Sequence, residues 1–329
     1  MPGANSNPDK PEFGIEPDDL IPLFEVAQNA GILAVHVGMG SSCFSPPWYF
    51  HHSSLPEKPQ MDALAWVRTQ TTLPIIAAGR MGRKEKVLEI MEEGLADLLA
   101  LGRPLLADPE FLAKWQRQEY ERVMYCGYCL QGCPHRLKND QPLGCNLNPQ
   151  LGLPELQPSD NPLNVLVAGG GPAGMSAALY LTRRGYRVTL AEKDTQLGGQ
   201  FNLTWQSPGK EKIKDGMEAM EREVKAGKVT LLTGRTVDAD LVQEIQPDLL
   251  LWAAGAVQNI PQVDGLDTQA TMTAVEYFQG EKAMQGPRVL VIGAGRAGLE
   301  IAEKLGIEGF EVVATNRYFY VTFAILSRE

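Results

Sequence analysis

Val165-Leu166-Val167-Ala168-Gly169-Gly170-Gly171-Pro172-Ala173-Gly174 joins an apolar strand-like run to a glycine-rich turn, and a helical segment follows to Arg184 before Gly185 stops it. Val188-Thr189-Leu190 then leads to Glu192, eighteen residues beyond Gly174. A bare GxGxxG is weak evidence. Set between a strand and a helix, with an acid at that distance, Gly169, Gly171 and Gly174 are in the context that a dinucleotide-binding fingerprint requires. A pyrophosphate would rest on the helix start, where free N–H groups and the dipole favour anions, and Glu192 would accept from ribose hydroxyls. The competing reading is a glycine-rich turn in some other α/β protein. Either way the class is α/β, with a new domain beginning near Leu163.

The same pattern recurs downstream. Val289-Leu290-Val291-Ile292 leads to Gly293-Ala294-Gly295-Arg296-Ala297-Gly298, and a helix follows with Leu299, Ile301, Ala302 and Leu305 on one side. Between the two fingerprints, Leu249 to Gly255 forms another apolar strand ending in small residues, which lets backbone approach a bound nucleotide. Two fingerprints nested in this way imply two dinucleotides, one a prosthetic group and one exchanging. The second is the weaker of the pair. Its following strand, Glu311 to Thr315, ends without an acid, and Tyr318 to Leu326 has neither alternation nor helical spacing.

Upstream lies Cys126-Gly127-Tyr128-Cys129-Leu130-Gln131-Gly132-Cys133, closed by Cys145. Four of the five cysteines thus read C-x2-C-x3-C-x11-C, with Cys43 far away. Thiols crowded this closely in a chain without secretory features are best explained as metal ligands. A structural zinc site usually shows two C-x2-C knuckles or completing histidines, and neither layout is present. Three close cysteines and one distant one suit a [4Fe–4S] cluster better than zinc or unligated thiols. His135 reads as a surface residue. Residues 146–162 hold four prolines among Asn, Gln and Gly, the composition of an irregular connector.

Before the cysteines the chain alternates helices and apolar strands. Helices are expected near residues 17–30, 61–69 and 84–93, the last with Val87, Leu88 and Met91 inward. Strands are expected at 32–37, 73–78 and 97–101, and Asp108-Pro109-Glu110 is a helix start. Three βα units in succession imply a parallel sheet. Two of its strands run into Gly-Arg: Gly79-Arg80 and Gly102-Arg103. Arg80 and Arg103 at a carboxyl sheet edge could hold one phosphate, since guanidinium donates in pairs and glycine lets backbone N–H groups approach an anion. Surface salt bridges are the plainer alternative. His36, His51 and His52 lie on or after a strand, and one could face a cofactor, although surface or packing roles are ordinary for histidine.

Composition bounds these readings. A chain of 329 residues accommodates about two domains, and its 44% hydrophobic content is ordinary for a globular protein. The net charge of −10, without Lys/Arg clusters, argues against a nucleic-acid surface and fits an enzyme with small-molecule ligands. Residues 1–14 are polar and rich in Pro and Asn, unlike a signal or transit peptide, and no apolar run reaches membrane-spanning length, so a cytoplasmic location is expected.

With a cysteine loop between a phosphate-binding βα segment and a double Rossmann segment, the chain resembles the iron–sulfur flavoenzyme branch of the old yellow enzyme family. That branch includes 2,4-dienoyl-CoA reductase, related NADH:flavin oxidoreductases and trimethylamine dehydrogenase. The resemblance runs from about Gly14 to Glu311. Its markers are Ala77-Ala78-Gly79-Arg80, Gly102-Arg103-Pro104-Leu105-Leu106-Ala107-Asp108-Pro109, the cysteine loop, and Leu197-Gly198-Gly199-Gln200-Phe201-Asn202. The gap between Cys129 and Cys133 looks like the dienoyl-CoA reductase pattern.

This resemblance implies that Arg80, Gly102 and Arg103 contact an FMN phosphate, and that Cys126, Cys129, Cys133 and Cys145 ligate [4Fe–4S]. It places FAD against Ala173, Glu192, Gln200, Lys210 and Val237, and makes Gly293, Gly295 and Gly298 the start of an NAD(P)H-binding domain. The implied division is a partial FMN-binding TIM barrel at 1–121, a cluster loop and linker at 122–162, a Rossmann-type FAD domain at 163–285 and a truncated NAD(P)H-binding domain from 286. Electrons would pass from NAD(P)H through FAD, the cluster and FMN to an activated C=C bond, such as a 2,4-dienoyl-CoA or an enone. Only three barrel units precede the cysteines, so the sequence reads as an internal fragment without the family's proton-donating tyrosine. An electron-transfer module without substrate chemistry and an amine dehydrogenase are the alternatives.

Overall fold

The computed structural model describes residues 17–41, 46–258, 260, 264, 270–315 and 320–323. The chain divides into two compact units, Met1–Glu155 and Leu156–Glu329. Cys43 lies outside the described residues.

In the first unit, strands β1 (Val35–Val37), β2 (Ile75–Ala78) and β3 (Leu98–Ala100) form a parallel sheet in sequence order. All three are shorter than the apolar runs that encode them. Helices Lys58–Gln70 and Lys84–Glu92 make the crossovers. Their apolar stripes, Leu64 and Val67 on one and Ile90 on the other, close on Val37, Ile75 and Ala77 of the sheet. The inward face of Lys84–Glu92 differs from the expected one: Lys86, Val87 and Ile90 are buried, whereas Leu88 and Met91 are nearly half exposed. Ile90, one turn beyond Lys86 and Val87, sets that face. Pro22 occupies the first turn of Ile21–Asn29, where its missing N–H costs nothing.

Asp108 does not cap a helix that starts at Pro109. The helix is Phe111–Gln116, and the Asp108 carboxylate accepts from the N–H groups of Glu110 at 3.0 Å and Met124 at 2.9 Å and pairs with buried Lys114 at 2.8 Å. The acid therefore pins residues 108–124 together.

In the second unit, β4 (Asn164–Ala168), β5 (Arg187–Glu192), β6 (Val229–Thr233) and β7 (Leu249–Trp252) form a parallel sheet ordered β6-β5-β4-β7. Helix Pro172–Arg183 crosses from β4 to β5, and Ile213–Ala226 buries Ile213, Met217, Met220 and Val224 along one stripe. A second sheet holds β8 (Arg288–Ile292) and β9 (Glu311–Thr315) in parallel, joined by helix Arg296–Ile307, with β10 (Tyr320–Phe323) antiparallel to β9. β10 lies in the stretch without readable periodicity. Among the described residues no helix is long and apolar enough to cross a membrane.

Candidate functional site

The two glycine fingerprints fold alike. After β4 the chain turns at Gly169, whose φ is 109°, and Gly174 lies so close to this turn that a Cβ there would fall 1.8 Å from the Gly169 carbonyl oxygen. After β8, Gly293 has φ 111° and a Cβ on Gly298 would lie 1.7 Å from the Gly293 oxygen. In each, the third glycine lets the helix start lie directly on the turn. The middle glycines, Gly171 and Gly295, cap their helices and face open space, with no atom within 4 Å of a Cβ built on either. An anion can thus reach the free N–H groups of both helix starts.

Glu192 ends β5, buried, with Oε2 accepting from the Gly170 N–H at 2.6 Å and Oε1 from the Asp194 N–H at 2.9 Å. Each carboxylate oxygen retains a lone pair for a further donor. Ala173 is exposed on the first helical turn, and Gln200 Nε2 donates to the Ala256 carbonyl at 2.5 Å. Two other expected contacts are engaged within the fold. Lys210 pairs with Glu300 at 2.5 Å, linking the first nucleotide fold to the helix of the second, and Val237 packs against the Leu166, Ala191 and Leu241 core.

In the first unit, the Gly79-Arg80 turn after β2 is left-handed at both residues, with φ of 97° and 52°. Arg80 is buried at 3% exposure and donates to the carbonyls of His52, Leu55 and Pro56 at 3.3, 2.7 and 2.9 Å, leaving its buried Nε without a partner. Much of its donor capacity thus holds the 52–56 loop. Gly102 caps the short helix Arg103–Ala107 and is exposed, with nothing within 4 Å of a Cβ. Arg103 lies over the Tyr128 ring at 5.2 Å and reaches the His51 carbonyl at 3.5 Å.

His51 is the buried histidine of the three. Its ring lies against Gly79, where a Cβ would meet ring atoms at 2.4–2.6 Å, and burial followed by the charges of Arg80, Arg103 and Lys86 lowers its pKa to about 4. His36 is exposed on β1. Lys86 and Gln60 escaped the sequence reading. Lys86 Nζ donates to Gln60 Oε1, and Gln60 Nε2 donates to the carbonyls of Ala78 and, at 2.9 Å, Gly79. Neither has a spacing signal that marks it as part of a strand-end site.

The cysteine loop is built by close backbone packing. A Cβ on Gly132 would sit 2.8 Å from both Cys145 Cα and Asn146 N, so only glycine lets the loop meet the turn that carries Cys145. Tyr128 and Leu130 bend the loop through left-handed φ values of 51° and 57°, and the Tyr128 N–H donates to Cys126 Sγ at 3.4 Å. All four thiols are free and partly buried. Burial raises the Cys126 pKa to about 12 and that of Cys133 to about 11, while the Arg103 charge opposes both. Burial likewise raises Cys145, against hydrogen bonds from the Asn148 and Leu147 backbone. Among the described residues no three His, Cys, Asp or Glu side chains converge to hold a single metal ion. Four partly buried thiols, three of them with backbone N–H groups aimed at sulfur, form a donor set suited to an iron–sulfur cluster, whose ligands are cysteine thiolates tuned by such hydrogen bonds. His135 is exposed on helix Pro134–Lys138, as expected.

Comparison with known proteins joins these two halves. Residues 45–122 match the NADH:flavin oxidoreductase / NADH oxidase family, and residues 163–319 match the pyridine nucleotide-disulphide oxidoreductase family. The chain is 30% identical over 325 residues to a bilirubin reductase of Mediterraneibacter gnavus, covering 95% of this chain and 49% of that protein. The chain belongs to the old-yellow-enzyme-like iron–sulfur flavoenzymes. A cinnamate reductase of Clostridium sporogenes is 32% identical to this flavoenzyme chain over 309 residues, covering 92% of it and 45% of the relative. A solved 2-naphthoyl-CoA reductase superposes with a TM-score of 0.83 at 25% identity, over 92% of the flavoenzyme chain and 46% of the other. The chain thus spans about half the length of the relatives it matches.

Proposed function

We propose that this chain is the electron-delivering part of an NAD(P)H-dependent ene-reductase, with FMN, [4Fe–4S], FAD and NAD(P)H held in that order along the sequence. The observation that carries the reading is one unit containing both a cationic strand-end cluster, Arg80, Lys86 and Arg103, and four free cysteines on a loop and a turn that meet at Gly132. Similarity to reductases of bilirubin, cinnamate and 2-naphthoyl-CoA supports an unsaturated carbonyl compound or enoyl thioester as substrate. We place the functional boundaries at 1–121, 122–162, 163–285 and 286–329.

When bound, the flavins accept and donate hydride equivalents, and the cluster exchanges single electrons between them. The protein's part is to hold and orient these groups. Gly171 and Gly295 leave two helix starts open to pyrophosphates, and Glu192 presents carboxylate lone pairs beside the first. Gly102 and Arg103 offer an exposed turn and a guanidinium to the FMN phosphate, and Arg80 shapes the loop beside them while adding positive charge. Cys126, Cys129, Cys133 and Cys145 supply thiolates once iron displaces their protons.

Anaerobic expression followed by measurement of iron, sulfide, FAD, FMN and the absorption spectrum tests this reading. About four irons and four sulfides per chain, with FAD retained, is the expected result. Zinc alone, or neither metal nor flavin, would refute it.

A further inference from the structure

We propose that Arg103, clamped over Tyr128, is a cation shared between the flavin-phosphate end of the sheet and the cysteine loop, so that phosphate occupancy sets how readily the cluster accepts an electron. This inference rests on the cofactor reading above and goes further: the two sites are energetically coupled, and the residue that couples them is Tyr128.

Tyr128 is 1% exposed yet has φ 51°, a conformation that a bulky side chain rarely adopts. Glycine would take it without strain, so the position needs what the ring and hydroxyl do. Four contacts meet there. The Tyr128 N–H donates to Cys126 Sγ at 3.4 Å, its carbonyl accepts from the Ser53 N–H at 3.1 Å, and its hydroxyl accepts from the Gly82 N–H at 3.2 Å. The guanidinium of Arg103 rests over its ring at 5.2 Å. One residue thus ties these parts together: its backbone holds the first cysteine and the loop held by Arg80, and its side chain holds the turn after β2 and the neighbouring strand-end arginine.

The Arg103 charge acts in two directions. Towards the loop, the guanidinium lies over the ring of the residue whose N–H donates to Cys126 Sγ, which sets its positive charge beside the cysteines. Towards the strand ends it reaches the His51 carbonyl at 3.5 Å and joins Arg80 and Lys86 around the His51 ring. A phosphate dianion on Arg103 offsets the positive charge that favours the reduced, more negative cluster. The cluster then becomes harder to reduce, and by linkage a reduced cluster weakens phosphate binding by the same factor.

The test is a one-electron titration of the anaerobically loaded full chain with dithionite, read by the paramagnetic resonance of the reduced cluster, with and without saturating FMN and, separately, inorganic phosphate. One electron enters the cluster, and no bond is made or broken. FMN should bind about fivefold more weakly once the cluster is reduced, equivalent to a fall of roughly 40 mV in midpoint potential at 59 mV per tenfold. Arg103→Gln should abolish the shift. Arg103→Lys, which keeps the charge but loses the planar stack, should reduce it, as should Tyr128→Leu, while Tyr128→Phe retains most of it. A cluster-loaded chain that binds FMN without any change in potential overturns the inference alone. A cluster-loaded chain that retains neither FMN nor phosphate also overturns it, by removing Arg103 as a phosphate ligand. A chain that forms no four-iron cluster overturns the cofactor reading itself.

Discussion

Substituting Gly171 with alanine separates the two roles that glycine plays in a dinucleotide turn. Gly171 has φ −71°, an ordinary value for any residue, and a Cβ there meets no atom within 4 Å. The apoprotein should tolerate Gly171→Ala and gain up to about 1 kcal/mol, because alanine restricts the unfolded chain. If the open space is where the FAD pyrophosphate rests, the same methyl overpacks the complex. Overpacking costs about 1–3 kcal/mol, or roughly 5- to 150-fold in FAD affinity. Gly174→Ala is the contrasting control: its Cβ would fall 1.8 Å from the Gly169 oxygen, so helix and turn must separate even without cofactor. Fluorescence titration of apoprotein with FAD, alongside thermal melts, reads both quantities. Gly171→Ala binding FAD with unchanged affinity would refute the assignment of the pyrophosphate to this helix start.

Three further substitutions probe the first unit. Asp108→Ala leaves Lys114 a buried cation without this carboxylate and removes the acceptor of two backbone N–H groups, so urea unfolding should show a loss of about 3–5 kcal/mol. His51 has a folded pKa of about 4, below the ordinary 6.5, so between those values the unfolded chain binds a proton that the folded one does not. Stability should be full above about pH 6.5 and fall by up to roughly 3 kcal/mol towards pH 4; His51→Gln should flatten that slope, and an unchanged slope would remove His51 as its source. Gly132→Ala pushes the cysteine loop away from the Cys145 turn, so iron bound per chain should fall well below wild type while the circular dichroism of the apoprotein changes little.

Much of this architecture was legible because glycine and apolar runs carry it. The turns at Gly169 and Gly293 demand positive φ, the strands before them are continuous apolar segments, and the Gly174 and Gly298 contacts admit no side chain. The cysteine spacing is local and equally direct. Less visible was anything decided by packing between distant segments. Which side of Lys84–Glu92 turns inward is set by the sheet it covers, and Leu88 and Met91 are as apolar as the residues that go in. Asp108 beside Pro109 has the chemistry of a cap, but Lys114 and Met124 claim the carboxylate. β10 depends on pairing with β9 rather than on alternation of its own. The buried state of His51 follows from the Gly79 turn that accommodates its ring, and histidine carries no sequence mark of burial.

Each sheet also has its own apolar cluster: Ile75, Leu64 and Ile90 in the first unit, Leu166, Ala191 and Leu241 beneath β4 and β5, and Ala302, Leu305 and Val312 beside β8 and β9. Segregated cores let segments open independently, each with its own free energy of local unfolding. Amide hydrogen exchange therefore becomes a map of cofactor occupancy. A ligand that engages one nucleotide fold slows exchange in that segment first, and the spread of protection to the others measures how far the fold communicates beyond the site that was filled.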